Sequence, residues 1–500
     1  MEGITNHDVW ADNNNKAASP WSDNGVSSML GSAISNLNMS ETLESARANL
    51  TETIWGNTDK PSNDPGHDVA PTANFNDLNN AILSPRNSSN ASEDDDDSQE
   101  TLETWMKSVR KTYHPLELDI VSIEEIPERE GLLFKHANYA VKHLVDLPNT
   151  DPPKNRTVIR RYSDFLWLQE VLLKRYPFRM IPDLPPKKIG TQNLDPVFLS
   201  KRRTGLHKFI NLIMKHPKLS KDDLVLTFLT VPTDISSWRK QASYDTSDEF
   251  TDRKISQDFV KIWRKDLADK WNETANSIDK LIDTWSKISI LVDRHEKRMK
   301  VIANERNLMK TMIKEFGDMS KFLYPSETNP TILDINNGLS IINNHIDKTN
   351  EHIDNEIKES KEKVSPKFRI FTDILLSLKN VFERYRMMAA NNVSILQKHI
   401  NINLEKLDGM KGKPDASGQE YERIKFTIQK DRKSMYEQSN RAWLIRECIL
   451  EEFTIFQETQ YMITYAFQEW VKLNSKYSGL ILNEWESATD HALEMPLATD

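Results

Sequence analysis

From Phe259 to Phe316 a mostly apolar series steps by three or four residues, through Trp263, Leu267, Trp271, Thr274, Ile278, Leu281, Trp285, Ile288, Val292, His295, Met299, Ile302, Arg306, Met309 and Ile313. That spacing places them on one face of a helix and on no face of a strand. Between residues 248 and 408 there are two glycines (Gly317, Gly338) and three prolines (Pro325, Pro330, Pro366) to interrupt it. Breaks at 324–330 and 409–418 divide the region into three helices, about 248–323, 331–408 and 419–485, with a kink expected at Pro366. At 1.5 Å per residue such helices reach roughly 100–117 Å. Ordinary globular helices are far shorter. The expectation for 248–490 is an antiparallel bundle of long helices, all-α, preceded by a linker at 233–247. The Trp263, Trp271 and Trp285 stripe is read as core or as a seam between copies.

Residues 105–232 have a different texture. Leu116-Glu-Leu-Asp-Ile120 alternates apolar and polar, as a half-buried strand does, and further strands are expected at 134–144 and 157–162. A helix begins near Phe165. The run Pro182-Asp-Leu-Pro-Pro186 favours an extended polyproline segment. Asp195-Pro196 reads as a helix N-cap with proline in the first turn, and another helix is expected at 221–229. This is a small α+β domain, long enough for its own core. Residues 1–104 are rich in Asn, Ser, Asp and Thr and carry no apolar period, so they read as a disordered acidic tail. Two short elements recur in the tail, Trp10-Ala-Asp-Asn13 and Trp21-Ser-Asp-Asn24, and Asp94–Asp97 is a run of like charge.

Charge is unevenly placed. Residues 1–100 hold 4 Lys/Arg against 17 Asp/Glu, whereas 154–221 hold 16 Lys/Arg against 4 Asp/Glu. A segment that basic calls for an anionic partner. It contains Arg160-Arg161-Tyr162-Ser163-Asp164-Phe165 at a strand-to-helix junction, Lys187-Lys188 closing the proline run, and Lys201-Arg202-Arg203-Thr204-Gly205-Leu206 in a helix. A planar fork (Arg161), a ring to stack on (Tyr162), a point charge (Lys187) and a second fork (Arg202) suit a phosphorylated, sugar-like ring.

In this order and spacing, Arg-Arg-Tyr-Ser-Asp-Phe, Pro-x-Leu-Pro-Pro-Lys and Arg-x-x-Gly-Leu resemble a PX domain. Followed by some 240 residues of long helix, the chain resembles a sorting nexin of the PX-BAR type, and with its acidic tail the fungal vacuolar-sorting branch of that family. The resemblance implies a phosphatidylinositol 3-phosphate site in which Arg161 takes the 3-phosphate, Tyr162 stacks under the inositol ring, Lys187 holds the 1-phosphate and Arg202 bonds the ring hydroxyls. Arg160 would support the fold or the surface potential, and the loop Lys188–Leu194 would touch the membrane. It further implies a peripheral protein of endosomal membranes on the cytoplasmic side, a homodimer through the BAR domain with the option of higher assembly, and a role in vacuolar or retrograde cargo sorting. Cargo and a dynamin-like protein would be further partners.

Other classes find little support. There is no Walker loop, Gly-x-Ser-x-Gly or His-Glu-x-x-His, so no enzyme, cofactor or metal site is expected. The single cysteine, Cys448, excludes a disulfide framework and reads as a buried thiol. No apolar run reaches 18 residues, and the N-terminus has no basic-then-apolar leader, so neither a membrane span nor a secretory signal is expected. Nucleic-acid binding fits poorly with a pI near 5.8 and missing stacking platforms. Residues 248–485 hold 38 Lys/Arg and 37 Asp/Glu, which gives a membrane-facing surface little support from totals. A lipid-located coiled-coil tether without curvature activity therefore stays open beside the curving sorting nexin.

Overall fold

The computed structural model describes residues 94–130, 136–147, 156–187, 195–323, 330–411 and 418–498. The tryptophan elements near the N-terminus, the rest of the tail up to 93, and the loop 188–194 lie outside the described residues. The chain falls into two compact units, with Leu184–Gly205 in one and Ala73–Asp183 with Leu206–Asp500 in the other.

Within the larger unit a three-stranded antiparallel sheet has the order β1 (Val121–Glu130), β2 (His136–His143), β3 (Thr157–Arg161). Strand β1 begins where the expected strand ends, and Leu118 is 87% exposed. The reason lies across the fold. The Asn211 side chain accepts from the Ile120 and Val121 amides and donates to the Val121 carbonyl. This anchors Val121 and Ile123, not Leu116 and Leu118, on the buried face. The expected strands at 134–144 and 157–162 are β2 and β3. Helix α2 (Tyr162–Arg175) follows β3 directly, and its Phe165 meets Phe209 and Phe228 edge-on. Helix α3 (Pro196–Lys215) opens as expected, with Asp195 accepting from the Phe198 amide. Helix α4 (Asp223–Thr230) is capped by Asp222.

Two regions differ from expectation. The tail reading extended to 104, yet helix α1 spans Asp94–Arg110. It buries Leu102 beside Phe259, Ile262 and Leu450, sets Trp105 tilted against Phe259 with ring centroids 5.6 Å apart, and pairs Arg110 with Glu458 at 3.2 Å. The linker at 233–247 is also structured. Helix α5 (Ile235–Gln241) is capped by Asp234, and Trp238 and Tyr244 close on Trp167 at 6.2 and 5.8 Å.

The helical region comprises α6 (Gln257–Ile262), α7 (Lys265–Leu323), α8 (Pro330–Glu359), α9 (Ser365–Met388), α10 (Val393–Met410), α11 (Gly418–Glu458) and α12 (Gln460–Leu493). Helix does not begin at 248. A turn there holds Asp252 at a φ of 59°, and Ser256 caps α6. Where a kink was expected at Pro366, the helix carries an irregular turn. The missing N–H and bulky ring of Pro366 are absorbed by a π turn at Ser360–Val364, and Ser360 and Ser365 both donate to the buried Glu296 carboxylate. The second helix also breaks at Ala389–Asn392, which periodicity did not show. Asn391 accepts from the Val393 amide and Gln438 from the Asn392 amide, the local bonding by which Asn competes with helix. The tryptophan stripe is core: Trp271 and Trp285 are buried, and Trp285 stacks on Phe368 while donating to its carbonyl at 2.8 Å. Among the described residues no helix is long and apolar enough to cross a membrane.

What joins the sheet-bearing part to the long helices is a buried charge cluster. Arg179, fully buried, meets Glu249 at 2.8 Å, Glu451 at 2.6 Å and Glu452 at 3.0 Å. Glu452 also pairs with His216 at 3.0 Å and accepts from the Met180 amide at 2.8 Å. Arg384 donates to the carbonyls of Pro177 and Arg179, and Lys208 pairs with Asp373. Cys448 lies under this cluster, 3.7 Å from the Phe178 carbonyl, where burial pushes its thiol up.

Replacing Arg179 with alanine leaves three carboxylates facing one another in the interior, a loss of about 3–5 kcal/mol. Urea unfolding followed by tryptophan fluorescence reads it as a lower midpoint. Burial by itself would raise Glu452, but His216, Arg179 and the Met180 amide outweigh it and hold the carboxyl at about 2, against its ordinary 4.5. The stability it supplies is full above pH 4.5 and disappears as the pH falls toward 2. Acid unfolding of Glu452→Gln should therefore lack the pH dependence that the wild type shows in that window.

Candidate functional site

The candidate site starts from strand alternation. In β3, Val158 and Arg160 point inward, so Arg161 must point outward. Two adjacent arginines therefore enter opposite environments. Arg160 is 1% exposed and spends its donors on main chain: the Phe228 carbonyl at 2.9 Å, Ile159 at 2.8 Å, Thr233 at 3.3 Å, and Val231. Most of these carbonyls belong to the end of α4 and the residues just after it, the pole of a helix that favours a cation. Burial lowers Arg160 from 12.5 to about 10, with Asp164 and Asp234 opposing, so it stays charged near neutrality. It is a structural arginine, as the resemblance implied.

Arg161 caps the start of α2. Its amide donates to Asp164 at 2.9 Å, and its guanidinium Nε lies 3.5 Å from the same carboxylate. Asp164 is buried, and that burial raises its carboxyl against the pull of Arg161. The outer end of Arg161 reaches solvent, with Nη2 3.7 Å from Asp234 and donating to the Ser236 hydroxyl. Tyr162, next in sequence, is half-buried at the first position of α2. A solvent-facing guanidinium aimed by a buried carboxylate can bind a phosphate through charge-assisted hydrogen bonds.

Lys187 and Arg202 belong to the other unit. A Cβ at Gly205 would stand 3.0 Å from Pro185 Cβ and Cγ, so only glycine permits this approach of the proline segment to α3. Lys187 ends that segment, exposed. Arg202, one helical turn before Gly205, is buried with its guanidinium 4.3 Å over the Phe198 ring. Arg161 and Tyr162 are thus chain neighbours at the β3–α2 junction, and Lys187 and Arg202 share the other unit, one exposed and one buried. Sequence reasoning missed Asp164 as the aiming carboxylate, and Asp234 and Ser236 as neighbours of Arg161. The signal for the latter was present in Asp234-Ile-Ser-Ser237, an N-cap pattern inside a supposed linker. Among the described residues no cluster of His, Cys, Asp or Glu is arranged to hold a metal ion.

Comparison with known proteins extends the geometry. Residues 148–232 match the PX domain family, and residues 244–499 match the family described as the Sorting nexin 8/Mvp1 BAR domain. Sorting nexin MVP1 of Candida glabrata is 66% identical over the whole of both chains. Sorting nexin MVP1 of Saccharomyces cerevisiae is 57% identical over 90% of this chain and 87% of that one. A solved structure, the SNX-BAR Mvp1 tetramer, is 64% identical with a TM-score of 0.67, covering 74% of this chain and 99% of the other.

The two arginines separate by experiment. Arg160→Ala strands several buried carbonyls and should cost about 2–4 kcal/mol, since hydrogen bonds to charged groups are each worth about 1.5–3 kcal/mol. Arg161→Ala loses an exposed pair with Asp234 and one long contact with buried Asp164, which keeps the backbone amide of residue 161, and should stay within about 1 kcal/mol of wild type. Thermal unfolding of both variants checks the contrast.

Proposed function

The chain belongs to the PX-BAR sorting nexins of the Sorting nexin 8/Mvp1 type, non-enzymatic lipid-binding adaptors that work at membranes, and from that premise we propose that it reads phosphatidylinositol 3-phosphate on endosomes and curves the membrane during vacuolar or retrograde sorting. The observation that carries the lipid reading is the split at β3. Arg160 is consumed by the fold, while Arg161 presents its guanidinium to solvent beside Tyr162. In this reading Arg161 takes the 3-phosphate, Tyr162 stacks on the ring, Lys187 holds the 1-phosphate and Arg202 serves the ring hydroxyls.

Assembly through the BAR region is supported by its surface. On α7 the side chains of Leu308, Met312, Phe316 and Met319 are exposed at steps of three and four residues, and Val471 and Leu482 are exposed on α12. An apolar stripe of that length needs covering. A second copy supplies an identical stripe and brings a second headgroup site to the same membrane, raising affinity through effective concentration. A solved relative is a tetramer, which favours assembly beyond the dimer.

Co-sedimentation with small and large vesicles, with and without phosphatidylinositol 3-phosphate, tests the reading. Wild type should pellet only with the phosphoinositide and form tubules visible by electron microscopy, and Arg161→Ala should lose at least ten-fold in affinity. Equal binding by both proteins would refute the site, and binding without tubules at any concentration would favour the tether. Met312→Glu with Phe316→Glu should lower the mass measured by light scattering toward the 58.0 kDa chain.

A further inference from the structure

The outer end of Arg161 is occupied. Its inner Nε faces Asp164, whose side chain is 4% exposed and which also accepts from the Arg161 amide. That contact aims the guanidinium and is not available to solvent. Its outer Nη2 faces a different acid. Asp234, with a side chain 49% exposed, lies 3.7 Å away, and Ser236 accepts from the same nitrogen. Ser236 in turn donates to Asp234 at 2.6 Å, and the Ser237 amide does so at 3.0 Å. Those bonds hold the Asp234 carboxyl below its usual range, so it is an anion at neutral pH.

Its arrival at this place is built in. Arg160 grips the carbonyls of Phe228, Val231 and Thr233, which fixes the path of the chain to within one residue of Asp234. Beyond it, Trp238 and Tyr244 pack on Trp167, and Arg239 lies 5.2 Å over the same ring. The segment between the two domains is therefore laid back along α2, with the Asp234 turn on the guanidinium that would take a phosphate.

We propose that Asp234 and Ser236 are an internal occupant of the Arg161 site, which an incoming phosphomonoester must displace. This rests on the reading of Arg161 as a headgroup ligand and deepens it. The exchange replaces a carboxylate and a hydroxyl by a more highly charged anion on the same nitrogens, while Asp164 keeps its hold on the other end. Displacement frees the Asp234 turn, so occupancy of the site is felt in the segment leading to the long helices. The occupant lowers the affinity for each headgroup, on a vesicle as in solution, and a membrane presenting many offsets part of that loss through effective concentration.

The test uses the full chain and three probes: vesicles with phosphatidylinositol 3-phosphate, vesicles without it, and soluble inositol 1,3-bisphosphate. Asp234→Asn keeps an N-cap of equal quality, so its melting temperature should match wild type. It should bind the phosphoinositide vesicles about two- to five-fold tighter, as expected for removing an exposed ion pair. The gain should shrink at 0.5 M salt, about three times the physiological ionic strength at which exposed charges are already screened. It should vanish in Asp234→Asn with Arg161→Ala. A similar gain for the soluble headgroup places the competition at the phosphate, and a gain for vesicles of both kinds alike overturns it in favour of general surface charge. Hydrogen exchange of residues 233–241 should rise when wild type binds. Unchanged or weaker binding by Asp234→Asn, while Arg161→Ala still abolishes binding, overturns the internal occupant alone. Wild-type binding by Arg161→Ala overturns the headgroup site and the occupant with it.

Discussion

Arg179 is a cation with no water around it, and much of the structure is arranged to make that tolerable. A lone buried charge costs several kcal/mol, so the guanidinium has to be surrounded. Glu249 comes from the segment after α5, and Glu451 and Glu452 come from one turn of α11. His216, at the end of α3, supports Glu452 from a third direction. The partners come from three different stretches of chain, so satisfying one side chain ties the sheet-bearing domain, the intervening segment and the last long helices together. Apolar contact alone permits sliding. A cluster of directional charge-assisted bonds does not, because any shift leaves a buried charge unpaired.

Around that anchor, small sequence steps acquire large differences in role. Arg160 and Arg161 carry the same group and differ by one pleat. One is closed in by four carbonyls, and the other faces solvent between two carboxylates of unequal burial. Asp164 and Asp234 divide in the same way. The buried acid fixes where the guanidinium points, and the exposed acid contacts the end a ligand would use. Proximity to an arginine is common to both; accessibility separates aiming from competing.

Much of the helical region was legible because its period is local. Trp271 and Trp285 are core for the reason their spacing suggests, and Pro366 disturbs its helix as its chemistry requires, through a π turn. The β2, β3 and α3 positions and the cap at Asp195 were likewise readable. Where reading failed, a distant residue had decided. Asn211 moved the first strand from 116–120 to Val121–Glu130 by bonding amides some 90 positions away. Gln438 and Asn391 stop a helix that periodicity would carry through 389–392. Phe259, Ile262 and Leu450 give Leu102 a place to bury, turning the last part of a polar tail into helix.

The sequence by itself determined the kinds of element, the order of the two domains and the basic Arg-Arg-Tyr motif at a strand-to-helix junction, because helical period, strand alternation and that junction depend on neighbours within a few residues. Only the tertiary structure decided that 233–247 is packed instead of free, that Arg179 is the joint, and that Asp234 stands at the outer end of Arg161. Those facts rest on contacts between residues about 70 to 270 positions apart. Local propensity carries no information at that range, whereas burial and charge pairing in the folded chain do.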